Sequence, residues 1–260
     1  MTSTRLWDRA AALPVPADGR RRAEVAALPR DVPSVADLFT FMRDAELRFA
    51  TLRMRIEERT FGSRGEQIVT VDVAVRHPGA ARVMTMEGPA GGGGSHETWI
   101  SDGEIVRTFS RTHRLGTSRP VRPRPRGLDD ADFPGTSQVY RPLTALPAET
   151  LPETFVHPAG YCQNVLATGR AWISGTEIVH GREAIVVECD HPRAIELAAD
   201  RPDFHISIAA DRDTGAIIRL VETIAGDVTR FAEAVVFDPD ASLPAGTFEF
   251  HFPTGTTILY

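Results

Sequence analysis

The side chains able to do chemistry are few and scattered. Eight histidines are present: His77, His96, His113, His157, His180, His191, His205 and His251. None forms a pair four residues apart on a helical pattern, so no zinc-binding helix face is expected. His77, His157 and His191 each precede a proline, which sets an extended or turn backbone. The two cysteines, Cys162 and Cys189, do not complete a zinc site. They are expected to be free and buried, with a disulfide only if the fold brings them together. Asp211-x-Asp213-x-Gly215 opens like a calcium loop, but the remaining ligands do not follow and strand-like residues flank it, so a hairpin turn is expected. Gly91 to Gly94, before Ser95 and His96, lack the strand–loop–helix context of a phosphate loop. The chain has no Gly-x-Ser-x-Gly elbow, Walker loop or His-Glu-x-x-His. Glu57, Glu58, Glu177 and Glu183 alternate along strand-like stretches and read as solvated faces rather than an acid/base pair. The expectation is a protein with no catalytic residue, no metal ligand and no cofactor.

The chain has 260 residues, 35 acidic against 29 basic, for a net charge of -6. Every basic residue is arginine. The arginines are spread along the chain, which reads as genome composition; the dense clusters are Arg20–Arg22 and the stretch Arg119-Pro-Val-Arg-Pro-Arg-Pro-Arg126. That stretch is stiff and basic. It reads as a solvated loop balanced by Asp129, Asp130 and Asp132, with a grip on an acidic partner or lipid head group as the functional alternative. Mild acidity argues against a dedicated nucleic-acid binder. No segment reaches the roughly 18 apolar residues that cross a membrane. The first 30 residues lack the apolar run of about 7–15 that a secretory signal needs, so a cytoplasmic location is expected.

The elements that must position these side chains are mostly strands. Residues 1–34 carry two short apolar stripes stopped by prolines and read as a helical extension. Ser34 reads as an N-cap, and Val35 to about Phe49 as the best helix in the chain. The period then changes from 3.6 to 2. Leu52, Met54 and Ile56 alternate with Arg53, Arg55 and Glu57. Val69, Val71, Val73 and Val75 alternate with polar or small residues. Arg82–Met86, Glu97–Ser101, Glu104–Phe109 with the Asp102-Gly103 turn, and His113–Arg119 complete an antiparallel meander over 51–119. Residues 120–160 form a Pro-rich insertion, helical at best from Leu151 to Val165 and interrupted by Pro158. Strands resume at Ala171–His180, Glu183–Cys189, Phe204–Ala210, Ala216–Ile224 and Val228–Phe237, with a short helix expected from His191 to Ala199. Phe248, Phe250 and Phe252 face one way along a further stretch, and Thr256–Tyr260 reads as an edge strand. The fold class is α+β: a curved antiparallel sheet of about ten strands forming an incomplete barrel over helices. Residues 35–260 are expected to form one domain.

The order of these pieces resembles the outer-membrane lipoprotein carrier (LolA-like) superfamily, with its lipoprotein-sorting and RseB-like regulatory members. The resemblance runs from about Val35 to Leu259. It is carried by the first helix followed by Ala50–Ile56, by Val75-Arg-His-Pro-Gly-Ala-Ala-Arg82, by Trp99-Ile-Ser-Asp-Gly-Glu-Ile-Val106, by Asp211–Ile218, and by Phe248-Glu-Phe-His-Phe-Pro-Thr-Gly255. It implies a half-barrel around an apolar cavity that accepts acyl chains, or a relative that holds a partner protein. In the carriers an arginine directly before the proline helps latch the lid. Here that position is His77, with Arg76 one residue earlier, and a one-residue shift points a side chain to the other sheet face. The resemblance therefore marks Arg76 and His77 as lid or latch candidates.

Two functions are expected from these features. The first is a non-enzymatic binding protein with a cavity for a lipid or other hydrophobic ligand, lined by Met54, Ile56, Val71, Val73, Phe248, Phe250 and Phe252. The second is a regulatory or scaffold protein acting through protein–protein contacts, without a ligand, along the Thr256–Tyr260 edge or the 119–126 stretch.

Overall fold

The structure is a computed structural model that describes residues 28, 31–63, 65–88, 96–121, 142–192 and 203–259. The expectations for residues 1–27, for Gly91–Ser95, for Arg122–Arg126 and for a helix at 193–199 lie outside the described residues. The first described helix, α1 (Val35–Arg43), begins where Ser34 caps it: the Ser34 hydroxyl oxygen accepts the Asp37 N–H at 3.1 Å. The helix is shorter than the apolar pattern suggests. It ends at Asp44, and Ala45–Arg48 continue as a 3-10 turn. Arg48 closes over this break. Its guanidinium is buried, donates to the carbonyls of Phe41 at 2.7 Å and Thr214 at 3.3 Å, and stacks 3.7 Å from the Phe41 ring centre. It thus shares, with the Asp44 N–H, a carbonyl at the helix end.

Six strands follow in unbroken meander: β1 (Thr51–Gly62), β2 (Gly65–Arg76), β3 (Ala80–Glu87), β4 (His96–Asp102), β5 (Ile105–Ser110) and β6 (Leu115–Pro120). After the Pro-rich stretch come two short helices, α2 (Leu151–Val156) and α3 (Ala159–Asn164), separated at Pro158 as the sequence requires. Then come β7 (Arg170–Val179), β8 (Arg182–Asp190), β9 (Phe204–Asp211), β10 (Ile217–Ile224), β11 (Asp227–Pro239) and β12 (Thr257–Leu259). All twelve join one open sheet, ordered β12-β6-β5-β4-β3-β2-β1-β11-β10-β9-β8-β7. The pairing of β1 with β11 lays the second meander beside the first. Twelve strands stand among the described residues where about ten were expected.

Period-2 alternation sorts the sheet into two faces. One face is apolar: Leu52 opposes Val75, Met54 opposes Val73 and Ile56 opposes Val71. It continues through Ala232, Leu220, Ile208 and Val187 on β11, β10, β9 and β8. Leu38 and Met42 of α1, Phe155 and Val156 of α2 and Cys162 of α3 pack against it in one core. The other face carries the charges. Arg55 pairs with Asp72 at 2.6 Å, Arg53 with Asp238 at 3.2 Å, and Arg219 with Glu177.

The Phe248–Phe252 stretch departs from expectation. It is not a strand. Pro244 and Pro253 bracket it, and no neighbouring strand pairs with it among the described residues. Instead it lies across the charged face of the first meander. Phe248 sits under the Arg76 guanidinium at 4.8 Å, the Thr247 carbonyl accepts from Arg82 at 3.3 Å, and Phe250 meets Phe109 with ring centres 6.0 Å apart. Phe250 and Phe252 stand edge-to-face at 5.3 Å, a favourable aromatic geometry. The chain then reaches the β6 edge, where β12 pairs in parallel. The expected edge strand is present, three residues long.

Candidate functional site

The apolar face and its roof form the first element of the site. Met54, Ile56, Val71 and Val73 stand side by side on this wall, each no more than 4% exposed. Phe248, Phe250 and Phe252 are not on it; they lie on the opposite side of the sheet, as described above. The seven cavity candidates are therefore divided between two faces. Alternation along the chain is common to both groups. It does not reveal that the last three belong to an irregular strap rather than to a strand of the wall.

The second element is a buried polar joint where the Pro-rich segment returns to the fold. Thr144, fully buried, is its centre. Its hydroxyl oxygen accepts the Gly79 N–H at 2.8 Å and lies 2.7 Å from His77 Nδ1. Its carbonyl accepts from His157 Nε2 at 2.9 Å. His157 Nδ1 lies 3.3 Å from Glu46 Oε2, and the Leu143 N–H points at both Glu46 oxygens, at 3.0 and 2.9 Å. The joint ties the end of β2, the 3-10 turn after α1, residues 143–144 and the end of α2. Arg76 and His77 point to opposite sides, as the one-residue step requires. Arg76 is exposed over Phe248. His77 is buried against Phe49 and His157, with ring centres at 5.2 and 6.5 Å. Thr144 and Glu46 were not singled out from sequence, and His157 only as one of three histidines that precede a proline. The signal available was the pair of His-Pro steps, which fix backbone shape but not partner.

A third element is polar and sits toward one end of the roofed face. Arg230 on β11 bonds Glu58 at 2.7 Å and reaches Glu222 at 3.4 Å. Burial holds the nearby Tyr161 phenol well above its ordinary range, with Glu222 adding to it. Burial likewise lowers Arg48 to about 10, with Asp44 pulling the other way. Of the four glutamates noted in the sequence, Glu58, Glu177 and Glu183 each meet an arginine. These three are ion-paired with arginine, but Glu58, beside Arg230, lies on the roofed side and not on the solvated face expected for it. The calcium-like segment is a hairpin turn. Asp211 accepts from the Thr214 N–H and hydroxyl and from Arg182, and Gly215 takes the positive φ of 80°. On the charged face an open hollow of about 460 Å³ lies between β1 and β11, lined by Glu57, Arg59, Phe61, Phe231 and Glu233 among others. None of the seven cavity candidates lines it. Cys162 and Cys189 are both free and buried. No cluster of three metal-ligating side chains and no helix long and apolar enough to cross a membrane occurs among the described residues.

No family model matches this sequence, and no curated protein does. Solved structures do match. An uncharacterized conserved protein from Thermus thermophilus is 10% identical, with a TM-score of 0.48 over 86% of this chain and 98% of that one. MucB is 14% identical, with a TM-score of 0.47 over 83% of this chain; the match spans 62% of MucB. A LolA superfamily protein from Nitrosomonas europaea is 10% identical, with a TM-score of 0.33 over 84% of this chain and 99% of that one.

Proposed function

We propose that this chain is a non-enzymatic binding protein that accepts a lipid or another hydrophobic ligand between its sheet and its helices. The observation that carries this reading is the construction of the roof. A broad apolar sheet face is closed by three short helices rather than by a second sheet, and the loop leading into two of them is fastened through Thr144. Helices of six and nine residues hold their place by packing, not by their own stability. A roof of that kind can lift as a unit while the sheet ladder stays intact. Met54, Ile56, Val71 and Val73 then form the wall that an acyl chain meets. His77 on Thr144 is the latch in this reading, and Arg76 holds the C-terminal strap on the other side. Apolar burial at about 25 cal/mol per Å² supplies the affinity, and none of those four wall positions carries a charge.

The test is direct. The purified protein is examined by native mass spectrometry before and after solvent extraction, then titrated with a fluorescent long-chain fatty acid. A released lipid, or saturable binding at one site per chain, supports the proposal. A protein that carries nothing and binds nothing overturns it. Thr144→Val removes the hydroxyl that joins His77 to Gly79. It is expected to cost about 1–3 kcal/mol and to speed fatty-acid entry in a stopped-flow trace.

A second reading, protein–protein contact through a sheet edge, is favoured by β7. It is a ten-residue edge strand with Trp172 and Ile178 exposed, longer than the β12 edge. A partner captured by this reading is lost when Ile178 becomes Lys, whereas fatty-acid binding is not.

A further inference from the structure

We infer that His157 is held as an imidazolium and forms with Glu46 a proton-dependent clasp that fastens residues 143–144 to the helix layer. The inference follows from which atoms can donate. The Thr144 carbonyl only accepts, so His157 Nε2, 2.9 Å away, carries a hydrogen. In a neutral ring the other nitrogen would then present a lone pair. That nitrogen, Nδ1, lies 3.3 Å from Glu46 Oε2, and both side chains are about as buried as side chains become, 2% and 3% exposed. Nδ1 is not in hydrogen-bond alignment with that oxygen, but a lone pair so close to a carboxylate is repulsive, and little solvent is there to relieve it. Moving the proton to Glu46 is the poorer solution. Both its oxygens already receive the Leu143 N–H, and hydrogen bonds to a carboxylate favour its charged form. The proton therefore belongs on His157 Nδ1.

The groups around His157 agree with this placement. Glu46 faces it from the 3-10 turn and Thr144 from the returning loop. His77 faces it from the end of β2 with ring centres 6.5 Å apart. Glu153, one turn earlier on α2, is buried and accepts the Glu149 N–H at 2.6 Å. Among the described residues, Glu46 is the carboxylate beside the His157 ring. His77 makes its contact to the Thr144 hydroxyl, which serves a neutral ring equally well.

The sign is fixed by where the proton is bound. With the joint closed, His157 holds its proton against Glu46. With the joint open, it is an ordinary solvated histidine that has lost its proton by neutral pH. Closing therefore takes up one proton, and the clasp weakens as pH rises, by at most about tenfold in the closing equilibrium per pH unit. This dependence belongs to the chain alone and does not require that any ligand binds.

The experiment uses the full chain. Nitrogen-15 NMR of the histidine rings at about pH 7.5, where a free histidine is about nine-tenths neutral, is expected to show an imidazolium at His157; a neutral ring there overturns the proposal. Hydrogen exchange of amides 143–146, corrected for intrinsic rates, is expected to lose protection between about pH 6 and about pH 9 by up to tenfold per unit. Protection independent of pH overturns it. In Glu46→Gln the side-chain amide donates to a neutral Nδ1 in place of the proton, so protection is expected to persist while its pH dependence flattens; an unchanged pH dependence overturns the assignment to this pair. If that variant does not fold, the ring spectrum of the unmodified protein decides alone.

Discussion

At residue 169 there is room for a hydrogen atom and nothing larger. A Cβ on Gly169 would lie 2.5 Å from the Asp190 carbonyl oxygen, 2.7 Å from Cys189 Sγ and 3.0 Å from Pro192 Cα. Two of these three are backbone atoms that cannot step aside. A Cβ on Gly116 would meet the Phe252 ring at 2.4 Å, but that ring belongs to the irregular C-terminal strap and can tilt. Gly169→Ala is therefore expected to cost about 1–3 kcal/mol and Gly116→Ala less, read as a difference in urea midpoints. His205 gives a second prediction. Burial pulls its pKa down, but hydrogen bonds to Asp190 and Glu188, both at 2.8 Å, and the charge of those carboxylates more than reverse this. The folded pKa is raised. Its contribution to stability is fully present below the ordinary histidine value near about 6.5 and fades as pH rises through the folded value. The side chain is 30% exposed, so the effect is modest. His205→Gln is expected to flatten that slope in denaturation curves taken between about pH 6 and about pH 8. An unchanged slope would assign the pH dependence elsewhere.

At the scale of elements, the C-terminal strap is the least predictable part and the easiest to release. It is held on the charged face by Arg76 stacked on Phe248, by the Arg82 hydrogen bond to Thr247 and by the packing of its phenylalanine rings rather than by a ladder. Its β12 is three residues long. Phe252→Ala removes the ring that fills the space left by Gly116. Expected is faster amide exchange across 248–259, with protection of β1, β2 and β11 unchanged. Loss of protection throughout the sheet would show that the strap is integral to the fold. The strands themselves were legible because Val69–Val75 and Leu52–Ile56 carry a period of two with no exception. Helix α1 was legible from its cap, but its end was not. The apolar pattern runs on to Phe49, but the helix stops at Asp44, whose N–H shares the Phe41 carbonyl with the Arg48 guanidinium from beyond it. Arg48 also donates to the Thr214 carbonyl, distant in sequence, a contact that local patterning does not reveal.

At the scale of the molecule, one core accepts side chains from both meanders and the three described helices, and the two thiols report on it. Burial pushes Cys162 far up and Cys189 to about 11, with Asp190 adding to the latter. A thiol that stays protonated is a poor nucleophile. Both cysteines are expected to be silent toward a thiol reagent in the folded protein and to react together on unfolding, two per chain. One fast-reacting thiol under native conditions would show that the roof opens on its own around that residue.

The sequence by itself determined the strand pattern, the tight turns at Asp102-Gly103 and Asp211–Gly215, the Pro158 break and the even spread of arginine over an ion-paired face. Each of these follows from interactions within a few residues or from alternation along one strand. The tertiary structure alone decided which face each group of apolar residues occupies. Met54, Ile56, Val71 and Val73 share a wall because β1 and β2 pair in register. Phe248, Phe250 and Phe252, with the same alternation, lie on the opposite face in a strap that joins no strand ladder among the described residues. It also decided that His77, Thr144, His157 and Glu46 meet. Burying polar groups demands partners, but which partners depends on how the chain returns 67 residues after His77, and no local spacing encodes that return.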